Sequence, residues 1–172
     1  MAGRRDDQKG AGGGRCNCTA LRKATRRISQ LYDTALASSG LKSTQRAILA
    51  QINRSEPTTV GGLAQALVMD SGALAHTLKP LERDGLITVE VDPDDRRSRL
   101  IRLTADGRAK LAATDEPWAH AQSSFEAAFG QGESDLLRQA LQVLISDDFV
   151  SAFEKNLLAN RQEPNDHDRS PQ

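Results

Sequence analysis

His76, Lys79 and Arg83 recur at spacings of three and four, and Arg96, Arg97 and Arg99 crowd into four residues just downstream. Neither group belongs to a recognisable catalytic or cofactor motif. Their shared chemistry is donation to acceptors: base edges on a groove-sized face for the first group, phosphates or a narrow minor groove for the second. The three histidines, His76, His120 and His167, are scattered along the chain without a cofactor or nucleophile motif nearby, which argues against an enzyme. A module that binds protein through the same elements would show an apolar helix face and no arginine cluster.

The elements that must carry these groups are readable between Thr59 and Thr104. Thr59 caps a short helix that turns Val60, Leu63, Ala64 and Leu67 inward. Asp70 caps a longer helix that ends at Gly85, with Leu74, Leu78 and Leu81 on one side. The other side presents Gly72, His76, Lys79 and Arg83, flanked by Ala73 and Ala75, and Gly72 and Ala75 permit close approach. Pro80 lacks the N–H that would bond the His76 carbonyl, so a bend or a loosened turn is expected there. Residues 86–91 and 98–103 form a hairpin whose tip holds the arginines. The Asp92–Asp95 carboxylates lack the glycine and terminal glutamate of a calcium loop.

Around this centre, residues 18–38 place Leu21, Ala24, Ile28, Leu31 and Ala35 on a narrow helical seam that suits a partner helix. Gly40 ends that helix, and Ser43 or Thr44 caps a second one bearing Ala47, Ile48, Leu49 and Ile52. Thr104 opens a long helix through Leu111, Trp118, Phe125 and Phe129, kinked at Pro117. A last helix is predicted over 134–158, carrying Leu137, Leu141, Leu144 and Phe153.

At 172 residues the chain has room for one real core with helical extensions. Charge is unevenly spread: residues 1–42 hold nine Lys/Arg against three Asp/Glu, and residues 111–172 hold four against eleven. A basic front and an acidic back suit one face meeting phosphate while the other avoids it. No apolar run is long enough to span a membrane and the N-terminus is polar, so a soluble, cytoplasmic protein is expected. Cys16 and Cys18 are too close for an unstrained bridge and too few for a structural zinc, so no disulfide, metal or cofactor is expected.

The motifs LERDGL, DPDDRR and LIRLTADG, in that order, resemble the MarR family of transcription regulators, and the resemblance extends over roughly residues 18–158. It implies a mainly α (α+β) fold, a winged helix-turn-helix with a two-stranded wing, plus N- and C-terminal dimerisation helices. The corresponding organisation is a disordered tail over 1–15, a dimerisation helix over 16–40 and a winged DNA-binding domain over 41–110. Further dimerisation helices cover 111–160, and a second disordered tail covers 161–172. The implied partners are double-stranded DNA with a palindromic operator and a second copy of the chain. By the same likeness Ser71, His76 and Lys79 meet the major groove. Arg97 enters the minor groove with Asp95 orienting its guanidinium, and Arg96 and Arg99 lie beside it.

Two switching mechanisms follow from the resemblance. MarR-like proteins commonly take a small, often phenolic or aromatic, ligand, for which Tyr32, Trp118 and His120 are the candidate lining. The position of Cys18, with Leu21 and Tyr32 downstream, is similar to the organic hydroperoxide regulators, in which an oxidised thiol releases DNA. There Arg22, Lys23 and the helix N-terminus would favour the thiolate, and Cys16 would resolve the oxidised thiol only across subunits or after rearrangement.

Overall fold

A computed structural model describes residues 16–159. The tails expected over 1–15 and 161–172 lie outside the described residues. The chain divides into two compact units at Ser123/Ser124.

In the first unit, α1 (Asn17–Ala35) is followed by a 3-10 turn (Ala37–Ser39) and by α2 (Ser43–Ser55). Gly40 therefore closes the 3-10 turn, at φ 70°, rather than the long helix. The start of α2 is secured differently from the expected Ser43 or Thr44 cap. Ser43 N–H donates to Asp33 Oδ1 of α1 at 2.7 Å, and Lys42 N–H donates to the Gln45 side chain at 2.9 Å. Burial would raise the Asp33 carboxyl, but the hydrogen bonds from Ser43 and the ammonium of Lys42 hold it below its usual value.

β1 (Thr58–Thr59) leads into α3 (Val60–Ala66), then α4 (Ser71–Arg83) and the hairpin β2 (Ile87–Val91) and β3 (Arg99–Leu103). The sheet is antiparallel in the order β1-β3-β2, with Thr58 opposite Ile101 and Ile87 opposite Leu103. The two-stranded wing thus has a third strand at its root. Two residues are too few to show a period of two, and Thr59 also serves as the α3 cap, accepting from Gly62 N–H. Glu56 fastens the same root, accepting from Leu103 N–H and pairing with Arg108. Burial opposes ionisation of Glu56, yet those two donors hold its carboxyl below the usual range.

The core lies in this unit. Ile48, Leu49, Ile52, Leu63, Leu74, Leu81 and Ile101 are fully buried, joined by Leu78, Ile87, Leu103 and Leu111 around them. Aliphatic side chains alone fill it. Both helices of the helix-turn-helix end with the same pair of backbone bonds: Met69 N–H to Ala64 O and Val68 N–H to Gln65 O, then Leu86 N–H to Leu81 O and Gly85 N–H to Glu82 O. Gly85 takes the left-handed conformation freely at φ 72°, whereas Val68 is forced into it at φ 51°. That costs about 1–2 kcal/mol for a β-branched residue. α4 runs unbroken through Pro80.

The expected long helix after Thr104 is two helices, α5 (Ala105–Ala112) and α6 (Asp115–Phe129). Their joint is at Ala113–Thr114, four residues before Pro117. Proline cannot bond the carbonyl four positions back and its ring clashes with it, so the interruption falls at Ala113 and Pro117 sits in the first turn of α6. In the second unit, Gly130 (φ 98°) precedes α7 (Gln131–Leu144), and α8 is Asp147–Ala159. The expected single last helix is divided because the Ser146 side chain accepts from Phe149 N–H and so caps α8. Phe149 and Phe153 stack at 6.0 Å on α8, and Phe125 and Phe129 pair at 5.6 Å. No described helix is long and apolar enough to cross a membrane.

α5 is locked to the end of α4 at one place. Thr104 N–H donates to Leu86 O, and Thr104 Oγ1 donates to Gly85 O while accepting from Gly107 N–H. A Cβ on Gly107 would stand 1.9 Å from Leu86 O. Gly107→Ala is therefore expected to destabilise the fold by about 1–3 kcal/mol through backbone displacement. An unaltered urea midpoint would show that this contact yields without cost.

Candidate nucleic-acid interface

The exposed face of α4 is defined by what the other face buries. Leu74, Leu78 and Leu81 anchor the helix in the core, and Asp70 Oδ1 accepts from Gly72 and Ala73 N–H at 2.9 and 3.0 Å. Ser71, Gly72, His76 and Lys79 are exposed and Ala75 is half-buried. His76 and Lys79 make no side-chain hydrogen bond or ion pair within the described residues. Arg83, at the far end, is tied to Asp84 at 2.9 Å. The helix thus offers donors beside small residues, with no bulky apolar group in the way.

The wing tip is a backbone-knotted turn. Asp92 N–H donates to Ser98 O at 3.1 Å and Ser98 N–H to Asp95 O at 2.8 Å, while Asp94 N–H donates to Asp92 Oδ1. Asp95 Oδ1 accepts from the backbone N–H of Arg97 at 3.0 Å. Asp95 thus holds the Arg97 main chain, and no ion pair joins it to the Arg97 guanidinium among the described residues. A short carboxylate two residues upstream reaches the amide readily, as Asp does in turns generally. Arg96, Arg97 and Arg99 are exposed and none is paired with a carboxylate among the described residues. The Asp92 and Asp95 carboxylates are turned to backbone N–H groups, so the three guanidiniums on this hairpin end keep their donors free for an outside anion.

The candidate effector residues separate. Tyr32 and Trp118 meet edge to face at 4.9 Å, and Tyr32 Oη donates to Gln122. Arg46 lies over the Trp118 ring at 4.1 Å, with Nε donating to Thr114 Oγ1 at 2.9 Å and Nη2 to Asp115 at 3.2 Å. Burial lowers the Arg46 pKa and Asp115 opposes that shift. Arg46 and Gln122 had no local signal, since their partners are remote in sequence. His120 is exposed and two residues from Trp118, about 200° around the helix, so it does not join the pair.

The thiols also differ from expectation. Cys16, not Cys18, heads α1. Its Sγ accepts from the Thr19 hydroxyl at 3.3 Å and from Thr19 N–H at 3.5 Å, and these bonds lower its pKa. Cys18 lies within the first turn, and both thiols are exposed and free.

Known proteins share this architecture. A family model described as MarR family matches residues 41–98. The organic hydroperoxide resistance transcriptional regulator of Bacillus subtilis is 35% identical over 101 residues, covering 58% of this chain and 69% of that protein. The transcriptional regulator MosR of Mycobacterium tuberculosis, solved in complex with DNA, is 34% identical with a TM-score of 0.65, over 74% of this chain and 97% of that one. The transcriptional repressor CouR, bound to a 23-mer DNA duplex, superposes with a TM-score of 0.70 at 24% identity, over 76% of this chain and 93% of that one. CouR from Rhodococcus jostii has also been solved with p-coumaroyl-CoA.

Arg46 bridges α2 to the α5–α6 joint from a side chain only 14% exposed. Arg46→Ala should lower stability by about 1–3 kcal/mol, as loss of a charge-assisted bond and a cation–π contact requires. It should also shift the emission of Trp118, the single tryptophan. A variant with wild-type melting and emission would show that the bridge contributes nothing.

Proposed function

Because this chain belongs to the MarR family of DNA-binding transcriptional regulators, we propose that it is a homodimeric repressor of a palindromic operator, released by a small aromatic effector. One observation carries the DNA reading: the unpaired donors of α4 and the arginines of the wing tip, none of them in an ion pair among the described residues, belong to a single head. Ser71, Gly72, Ala75, His76 and Lys79 enter the major groove, where small residues permit approach and donors reach N7 and O6 acceptors. Arg97 enters the minor groove on a main chain held by Asp95, and Arg96 and Arg99 take phosphates.

A second copy is called for by apolar side chains left in water. Leu21 and Leu31 of α1 are exposed, as are Phe149, Val150, Phe153, Leu157 and Leu158 of α8. Exposed apolar side chains on each of these helices support an interface between chains. The Tyr32–Trp118 pair under Arg46 supports an aromatic, acidic effector.

The lowered pKa of Cys16 favours a second reading, in which oxidation at the head of α1 is the signal. Organic hydroperoxide should then reduce DNA affinity, with the response lost in Cys16→Ser or Cys18→Ser. Release that persists in both variants excludes the thiols and leaves a panel of phenolic acids as the test of the effector.

Binding to duplex from upstream of its own gene should weaken steeply with salt. Arg97→Ala should cost roughly tenfold or more in affinity, with the solution mass staying at twice 18.6 kDa. Unchanged affinity would sink the wing assignment, and the mass of one chain would sink the dimer.

A further inference from the structure

A groove of about 370 Å³ opens between α2 and α5, away from the elements assigned to DNA. Arg46, Asn53 and Arg54 line one side, Arg108 and Asp115 the other, and Leu111 lies at its apolar floor. No lining residue comes from α3, α4 or the wing. Its charges do not balance. Arg46 pairs with Asp115, and Arg108 shares Glu56 with the field of Arg102, while Arg54 is bonded only to the neutral Gln51 amide at 2.7 Å. Three guanidiniums, those of Arg46, Arg54 and Arg108, therefore meet the carboxylates of Asp115 and Glu56, which leaves the charge of Arg54 uncompensated, and Arg54 acts on Arg46 as a like charge.

Planar guanidinium forks match the oxygens of carboxylates and phosphates, and the uncompensated charge of Arg54 beside Arg46 favours an oxyanion between them. The volume lies at the lower end of that of small-molecule sites and exceeds what an inorganic ion needs, leaving room for a short organic part against Leu111. We propose that this groove binds a small organic oxyanion, a phosphomonoester or a dicarboxylate, held by Arg54 and Arg46 with the Asn53 amide as a further donor.

The site would act on the rest of the molecule through Arg46. An anion in the groove competes with Asp115 for its guanidinium, and so draws charge from the Trp118 ring and loosens the α5–α6 joint. Binding of the anion requires no DNA and stands apart from the operator reading.

The test is calorimetric titration of the full-length protein with inorganic phosphate and, separately, succinate, at constant ionic strength with chloride as the blank. Trp118 emission is followed in parallel. Saturable heat with a matching emission change is expected for at least one anion, and the one that binds identifies the source as phosphoryl or dicarboxylate. Arg54→Gln, which alters only an exposed side chain bonded to Gln51, should weaken binding roughly tenfold with an unchanged melting curve. No saturable heat from either anion, or equal affinity in Arg54→Gln, overturns the proposal. So does a loss of operator affinity by Arg54→Gln in buffer free of both anions, which would make the groove a contact for DNA phosphate.

Discussion

The contact of Gly107 with the Leu86 carbonyl is the constraint on which the DNA-binding head depends. Leu86 closes the end of α4 through its N–H and receives Thr104 through its carbonyl, and its neighbour Ile87 begins the wing opposite Leu103. Recognition helix, wing and linking helix are thereby referred to one residue by backbone bonds. Backbone bonds have few alternative geometries, unlike long side chains. The donors on α4 and the arginines on the wing are consequently carried by elements joined through backbone bonds, an arrangement that would leave less ordering to be done on binding a ligand.

The other end of α5 is built on a different principle. At Ala113–Thr114 helical bonding is interrupted, and the joint is held by side chains: Thr114 Oγ1 to Leu111 O, Arg46 to Thr114 and Asp115, and the Trp118 ring beneath Arg46. These are exchangeable contacts. A ligand shifts a conformational equilibrium only by its differential affinity for the two states. A guanidinium that has two acceptors and a ring as alternatives can supply such a difference, whereas the Leu86 junction cannot. The head is stiff where it meets DNA and adjustable where it meets the helices above.

What could be read in advance was what local rules encode. Thr59, Asp70 and Thr104 are short polar residues ahead of apolar periods, and each caps as its chemistry requires. Gly85 and the alternation of Ile87, Val89 and Val91 marked the wing. The misses have equally definite causes. β1 is too short for any period, and Val68 occupies a left-handed turn position where no glycine signals it. Pro117 displaces its interruption to the carbonyl four residues before it. The Ser146 cap inside an apolar helical stretch went unread. At the candidate sites, residue types were readable but partners were not: Arg46 and Thr114 are 68 positions apart, and the choice of Asp95 between the Arg97 amide and its guanidinium is geometric.

Arginine is in excess at two places, and the surroundings set what each can hold. The wing-tip guanidiniums are fully in water, where charges more than about 8–10 Å apart are screened at physiological ionic strength. They gain affinity only by meeting many phosphates together, with the salt sensitivity that implies. In the groove, Arg46 is largely buried over an aromatic ring and Leu111 backs the cavity. Screening is weaker there and each charge counts for more. The same side chain thus stands in two settings, in water at the wing tip and against an aromatic ring in the groove, and burial sets how strongly each charge acts.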